Sequence, residues 1–255
     1  SWTPARNEIL TPWYVKFLGA QKTQPVSVEP TNAQNWSDHL HLLNAHQITL
    51  PIQQIVSEAK SKYRTLDNKE AIWKSLERGT AVISNSGQLE AYLASYGTKH
   101  VAKLNHILET NYGQFSPERL VDWGCGQGLG ALSLLDRFGQ ENTLRELILI
   151  DPSHAALSRA DYLVRRHEHG ANKSFHALHG YFEDSTLLNL KFSGATIHMF
   201  SNVLDMKSII LKNIYELICA RFTGRQLFFL ISPFMSRVRS VRLLAFQNMF
   251  SEYTE

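Results

Sequence analysis

Apolar residues recur along this chain in two rhythms, and the change between them falls near Pro117. Upstream, from about Asn35 to Tyr112, the spacing is helical. Ile52, Ile55, Val56 and Ala59 share one helical face; Ile72, Trp73, Leu76 and, further on, Val82 share another, with Gly79 placed to end that second helix. A longer stripe runs through Leu89, Tyr92, Leu93, Tyr96, Val101, Leu104, Ile107 and Leu108, and Ser84 or Ser86 can cap it. Gly97 interrupts that stripe. A helix-interior glycine costs about 1 kcal/mol relative to alanine, so a kink or a close backbone approach is expected there. Residues 1–35 mix Trp2, Trp13, Tyr14 and Phe17 with Pro4, Pro12, Pro25 and Pro30, and read as an irregular or extended lead-in anchored by its aromatics.

Downstream, short apolar runs alternate with amphipathic ones. Strands are expected at Leu120–Trp123, Leu147–Ile150, Ser174–His179, Thr196–Phe200 and Gln226–Ile231. Helices are expected near Leu129–Phe138, Ala155–Arg166 and Lys207–Phe222. This alternation predicts an α/β fold, a Rossmann-like doubly wound parallel sheet preceded by an α-helical N-terminal region. The corresponding division is a lead-in and helical region over 1–115 and a sheet domain over 116–255.

Composition narrows the class. Hydrophobic residues make up 44% and charged residues 19% of the 255 positions, an ordinary globular balance. No apolar run approaches the roughly 18–20 residues that cross a bilayer, and no secretory pattern opens the chain, so no membrane association is expected. Two cysteines, Cys125 and Cys219, supply neither a disulfide framework nor a four-thiolate cluster. The expectation is a reducing, cytoplasmic setting and no metal site. A net charge of +3 does not by itself imply nucleic acid. Arg237, Arg239 and Arg242, and the run Arg165-Arg166-His167, are the places where RNA phosphate would be met. The helix dipole alone also favours Arg165 and Arg166 at a helix C-terminus.

The segment Val121-Asp-Trp-Gly-Cys-Gly-Gln-Gly128 falls where the first of these strands ends and a helix begins. Glycines there let the backbone turn tightly and approach a ligand that any Cβ would exclude, and the helix start presents N–H groups. One strand–helix–strand later stands Ile150-Asp151-Pro152-Ser153, with an acidic residue at a strand tip placed to accept from both ribose hydroxyls of a nucleoside. Gly126, Gly128 and Ala131 also satisfy a dinucleotide fingerprint, Gly-x-Gly-x-x-Ala, which leaves Asp122 and Gly124 without a role. A turn-rich α/β domain without a ligand is the remaining alternative.

The first segment resembles the opening motif of class I S-adenosylmethionine-dependent methyltransferases, acidic-x-Gly-x-Gly-x-Gly at the end of the first strand of their sheet. Ile150 to Ala160 resembles that family's second-strand segment. The resemblance implies S-adenosyl-L-methionine as cofactor, with Asp122, Gly124, Cys125, Gly126, Gln127 and Gly128 around its amino-acid moiety. Asp151 and Pro152 would then lie at the ribose, and Phe182 and Glu183 at the adenine. Thr196 to Asp205 falls where the family positions the methyl acceptor, which makes Ser201, Asn202 and Asp205 the candidate catalytic residues. Their alternative role is capping, Ser201 and Asn202 the next turn and Asp205 the helix expected from Lys207. Tyr96, His100 and Lys103 fall on one helical face upstream, where the family folds a lid over the cofactor.

A looser similarity links the helix, the glycine segment and Ser-Asn-Val-Leu-Asp205 to methyltransferase-like proteins associated with the mitochondrial small ribosomal subunit, without their additional cysteines. The family usually closes its sheet with a sixth strand and an antiparallel seventh. Gln226–Ile231 is the fifth expected here, so the chain reads as a piece of a longer polypeptide with other domains, with an abbreviated domain as the alternative. Two functions follow from the resemblance: a methyltransferase acting on an RNA, protein or small-molecule acceptor that the sequence leaves unknown, or a non-catalytic domain kept as a cofactor-binding or assembly module.

Overall fold

The computed structural model describes residues 14–21, 51–109, 115–182, 191–232 and 241–250. Six strands form one sheet: β1 (Tyr14–Gln21), β2 (Arg119–Trp123), β3 (Glu146–Asp151), β4 (Ser174–His179), β5 (Thr196–Ser201) and β6 (Gly224–Ile231), in the order β1-β6-β5-β2-β3-β4. Strands β2 to β6 pair in parallel. The chain winds outward from β2 through β3 to β4, then returns to place β5 and β6 on the other side of β2. This reversal leaves a crevice at the carboxyl ends of β2 and β5, the place where doubly wound sheets bind ligands.

The strands form because their side chains are apolar on both faces, as a sheet covered on both sides requires. Leu120, Leu147, Leu149, Ile197, Met199, Leu227 and Phe229 enter one core cluster, and Val121, Trp123, Ile148, Ile150, Phe200, Phe228 and Leu230 enter the other. The first face is covered by α1 (Ile52–Thr65), α4 (Thr98–Leu108), α5 (Leu129–Phe138) and α6 (His154–Arg166), and the second by α7 (Leu211–Arg221) and α8 (Val241–Asn248). Two short helices, α2 (Lys69–Ser75) and α3 (Ser86–Tyr92), precede α4. Asn85 caps α3, its side chain accepting from the Gln88 N–H at 3.0 Å, in place of the expected Ser84 or Ser86. Leu93–Gly97 forms a π turn that joins α3 to α4.

Two features cross the boundary expected between residues 115 and 116. Ile52, Ile55, Val56, Val101 and Leu104 share the core cluster of α5 and α6. The lead-in contributes β1, antiparallel to β6, with Tyr14 opposite Ile231 and Gln21 opposite Gly224. An antiparallel strand next to the last parallel one is therefore present, and it comes from the opposite end of the sequence.

Inside the second core sits a buried polar chain. The Trp123 indole N–H donates to Nδ1 of His198 at 3.1 Å. His198 must then carry its proton on Nε2, which donates to Oε1 of Gln226 at 2.7 Å. Burial holds the imidazole neutral and pushes its pKa down to about 3. Above pH 6.5 the bonds contribute fully; as pH falls toward 3 the unfolded chain takes a proton that the folded one refuses. His198→Leu is expected to lose about 2 kcal/mol at pH 8, since it leaves the indole N–H unpaired. That deficit should shrink by about 1.4 kcal/mol per pH unit below 6.5. Denaturant unfolding of both proteins from pH 8 to pH 5 checks this, and a constant deficit would refute it.

Candidate functional site

Strand β2 ends on Asp122 and Trp123, and the loop 124–128 carries the chain into α5. Gly124, Gly126 and Gly128 all have left-handed backbone, φ +67°, +52° and +83°. Their surroundings differ. A Cβ on Gly124 would stand 2.6 Å from Cγ2 of Val203, and one on Gly128 would stand 3.0 Å from Cβ of Ala160. A Cβ on Gly126 would meet no heavy atom within 4 Å. The outer glycines are thus required by packing against the β5 loop and α6, while Gly126 alone faces open space.

Two buried carboxylates flank this space. Asp151, at the carboxyl end of β3, accepts the Gly126 N–H on Oδ2 and the Ser153 N–H on Oδ1, both at 2.8 Å. Burial pushes its carboxyl above the ordinary range; the two N–H bonds and His179 pull the other way. Asp122 accepts the Ala131 N–H on Oδ2 at 2.8 Å. Its Oδ1 is buried with no hydrogen-bond partner among the described residues. Burial pushes Asp122 up to about 7, opposed by the Ala131 bond and reinforced by the charge of Asp151.

Several residues expected to touch the cofactor are committed elsewhere. Gln127 donates to the Leu89 carbonyl at 3.0 Å and accepts from Arg159 at 2.9 Å, and Arg159 also pairs with Glu90. Its side chain ties the glycine loop to α3. The Cys125 side chain joins the first core cluster, and burial holds its thiol well above the ordinary value. The Pro152 carbonyl lies 3.0 Å from Nε2 of His179. Phe182 is buried, edge-on to Trp123 with centroids 5.8 Å apart, and packs beneath Gly124. Glu183 lies outside the described residues.

The upstream helical face behaves as a unit. Tyr92, Tyr96 and His100 touch one another, with centroids 5.2 to 6.3 Å apart. Tyr92 is pushed above its ordinary pKa, first by burial and then by the nearby charges of Asp151 and Tyr96. At the other end, Nζ of Lys103 donates to the Ser232 carbonyl, just past β6, at 2.7 Å. The face therefore reaches from the end of β3 to the end of β6. Three strand spacings cover about 14 Å, and eleven helical residues rise about 16 Å, so the lengths agree. Burial, then Lys103, lowers His100 to about 4, which keeps it neutral. Gly97 has a packing cause: its Cβ would stand 2.9 Å from Cγ2 of Val56 on α1.

Past β5 the backbone turns left-handed. Asn202 has φ +61°, a value asparagine adopts more readily than most residues, its N–H donates to the Ile231 carbonyl at 2.7 Å, and its Oδ1 is buried without a partner among the described residues. Its Nδ2 donates to Ser201 Oγ at 3.1 Å. Helix α7 begins at Leu211, with Ile210 at its cap position, so Asp205 does not cap it. Burial raises the Asp205 carboxyl, against the pull of Ser232, Arg242 and Lys103. Of the basic groups, Arg242 is spent on the Leu204 and Ile209 carbonyls, Arg165 pairs with Asp161, Arg166 lies over Tyr162 and His167 pairs with Asp136. Arg237 and Arg239 lie outside the described residues. No group of three or more metal-ligating side chains, and no helix long and apolar enough to cross a membrane, occurs among the described residues.

Sequence reasoning missed Tyr92, Ser153, Val203 and Ser232. Tyr92 stood in the apolar stripe, and its four-residue spacing to Tyr96 was the available signal. Ser153 closes the loop with two bonds, one to Asp151 and one from its hydroxyl to the Ile83 carbonyl.

No protein-family model and no curated protein matches the chain. Among solved structures it is similar to the mitomycin 7-O-methyltransferase MmcR, at 16% identity over 68% of this chain and 48% of that one, with TM-score 0.41. It is also similar to geranyl diphosphate C-methyltransferase from Streptomyces coelicolor A3(2), at 16% over 55% and 48%, with TM-score 0.35. A SAM-dependent methyltransferase from Leishmania major aligns at 16% over 77% and 80%, with TM-score 0.39. The chain spans about half the length of the first two.

Asp122 provides a test of this electrostatic arrangement. Its pKa is raised to about 7 in the folded state, so the folded chain binds an extra proton and stability falls as pH rises from about 4 to 7. Asp122→Asn removes this titration. Its stability relative to the wild type should improve steadily across that window and level off above it, as measured by urea unfolding. A pH-independent difference would overturn the assignment.

Proposed function

We propose that this chain is an S-adenosylmethionine-dependent methyltransferase whose cofactor lies over the glycine loop between Asp122 and Asp151. The observation that carries the reading is the open space over Gly126 at the reversal of the sheet, walled by one buried carboxylate from each of two adjacent strands. A ligand there must bring hydrogen-bond donors at two places, as a nucleoside with an amino-acid tail does. Each Asp151 oxygen has given one lone pair to the backbone and keeps another for a ribose hydroxyl. Asp122, whose buried Oδ1 lacks a partner among the described residues, would receive the α-ammonium.

When bound, the cofactor supplies an electrophilic methyl on a sulfonium. The chain's part is to place the acceptor in line with it, which supplies much of the rate. Ser201 at the end of β5, and Asn202 and Asp205 just past it, would meet the acceptor. Neutral His100 sets no positive charge against the sulfonium. An acceptor that must lose a proton has in Asp205 a carboxyl with a raised pKa suited to receive it. RNA, protein and small-molecule acceptors all fit this chemistry.

Calorimetry with S-adenosylmethionine and S-adenosylhomocysteine tests the reading. The wild type should bind both. Gly126→Asn, which tolerates left-handed backbone while filling the open space, should abolish binding and keep the fold. Asp151→Ala should bind S-adenosylhomocysteine at least tenfold more weakly, since charged-acceptor bonds contribute about 1.5–3 kcal/mol. Full affinity in either variant, or no binding by the wild type, would sink it.

A further inference from the structure

We propose that the methyl acceptor is a neutral amino group on a planar ring, its two N–H groups donating to Asn202 Oδ1 and the Asp205 carboxyl; this rests on the cofactor reading above and narrows it to one kind of nucleophile. The polar groups past the ends of β5 and β6 converge on two neighbouring residues. Ser201 pairs with Ile231 in the sheet, which brings Asn202 beside Ser232. The Asn202 N–H donates to the Ile231 carbonyl and Nζ of Lys103 to the Ser232 carbonyl, both at 2.7 Å. Ser232, Arg242 and Lys103 all bear on the Asp205 carboxyl.

What this cluster lacks is donors. Asn202 Oδ1 and both Asp205 oxygens are buried, and none has a hydrogen-bond partner among the described residues. The Asn202 amide is held with its oxygen turned this way, because Nδ2 donates to Ser201 Oγ at 3.1 Å. Ser232 lies near enough to pull on the Asp205 carboxyl, yet its geometry makes no hydrogen bond to either oxygen. Arg242 is committed to the Leu204 and Ile209 carbonyls. Buried acceptors without donors are costly, so a ligand that completes the cluster has to bring N–H or O–H groups.

Count and charge select among such ligands. A carboxylate brings no donor. A hydroxyl brings one, which leaves either Asn202 or Asp205 unanswered. An alkylamine is protonated at neutral pH; it has no lone pair for the methyl and sets a third positive charge beside Lys103 and Arg242. An amino group on an unsaturated ring stays neutral, keeps its lone pair and holds two N–H groups in one plane. Its ring has flat, uncharged neighbours on the helical face that ends at Lys103: Tyr96 and His100 stack with centroids 6.3 Å apart and planes 19° apart. Transfer forms a nitrogen–carbon bond from that lone pair while the carbon–sulfur bond breaks, its electrons left on sulfur. One N–H proton passes to the Asp205 carboxylate, whose affinity for it burial raises.

Ligand-observed NMR on the full chain saturated with S-adenosylhomocysteine tests this with two matched pairs of probes. Aniline is titrated against phenol and cytidine against uridine, with benzylamine as the charged control. The amino member of at least one pair should bind at least about fivefold more tightly than its partner and than benzylamine. A preference in the cytidine pair places the amino group on a nucleobase; one in the aniline pair alone places it on a small aromatic molecule. Asp205→Leu should abolish the preference, and so should Asn202→Gly, which keeps the left-handed backbone. Both variants should hold S-adenosylhomocysteine as the wild type does. No preference in either pair, tighter binding of benzylamine, or a preference that survives in either variant would overturn the acceptor assignment and leave cofactor binding in place. Absence of S-adenosylhomocysteine binding by the wild type would instead remove the cofactor reading itself.

Discussion

The crevice depends on the Asp151 carboxylate, which has to serve the protein before it can serve a ligand. Without a partner at the end of β3, the Gly126 N–H would lose its hydrogen bond and the loop would have no fixed height above the sheet. With it, the loop between β2 and α5 and the turn between β3 and α6 are closed by one group. Ser153 carries the same constraint outward to Ile83, and Gln127 carries it to Leu89. The position of the helical layer is in this way referred to the same two strand ends that shape the site. Loss of that carboxylate disturbs loop, turn and roof together, so a binding defect in its absence is the sum of a missing contact and a loosened frame.

Burial does opposite things to the polar groups of the interior. His198 and His100 are driven toward neutrality from the cationic side, to about 3 and about 4, and Asp122 from the anionic side, to about 7. At neutral pH the two imidazoles carry no charge, and Asp122 holds its proton far more readily than an ordinary carboxyl.

Much of the sheet was legible in the sequence because strands buried on both faces read as unbroken apolar runs, as Leu147 to Ile150 and Leu227 to Ile231 do. The glycine loop and Asp151 were legible because a close backbone approach leaves glycine no substitute and a strand tip leaves an acid few other reasons to be there. What escaped were partnerships rather than elements. Nothing local marks Gln127 as a tie to α3 or Gly128 as a seat for Ala160. Helix α7 starts at Leu211 because residues 203–209 close two successive turns, Met206 to Val203 and Ile209 to Met206; the apolar period continues through them and hides the boundary. The strand β1 was unreadable for the same reason on a larger scale, since its partner stands near the other end of the chain.

That pairing of Tyr14–Gln21 with Gly224–Ile231 has a consequence for how the molecule is made. Closing a loop as long as the one between Gln21 and Gly224 comes late in folding, and non-local pairing slows it. On the ribosome, the parallel strands β2 to β5 are synthesised and can assemble in order, while the β1 segment has to wait, unpaired, until β6 has emerged. Through that interval an exposed backbone edge is available to any passing strand. The edge of the sheet is sealed by a segment made well before the strand it meets, so the fold certifies that translation has passed Ile231 before that edge closes.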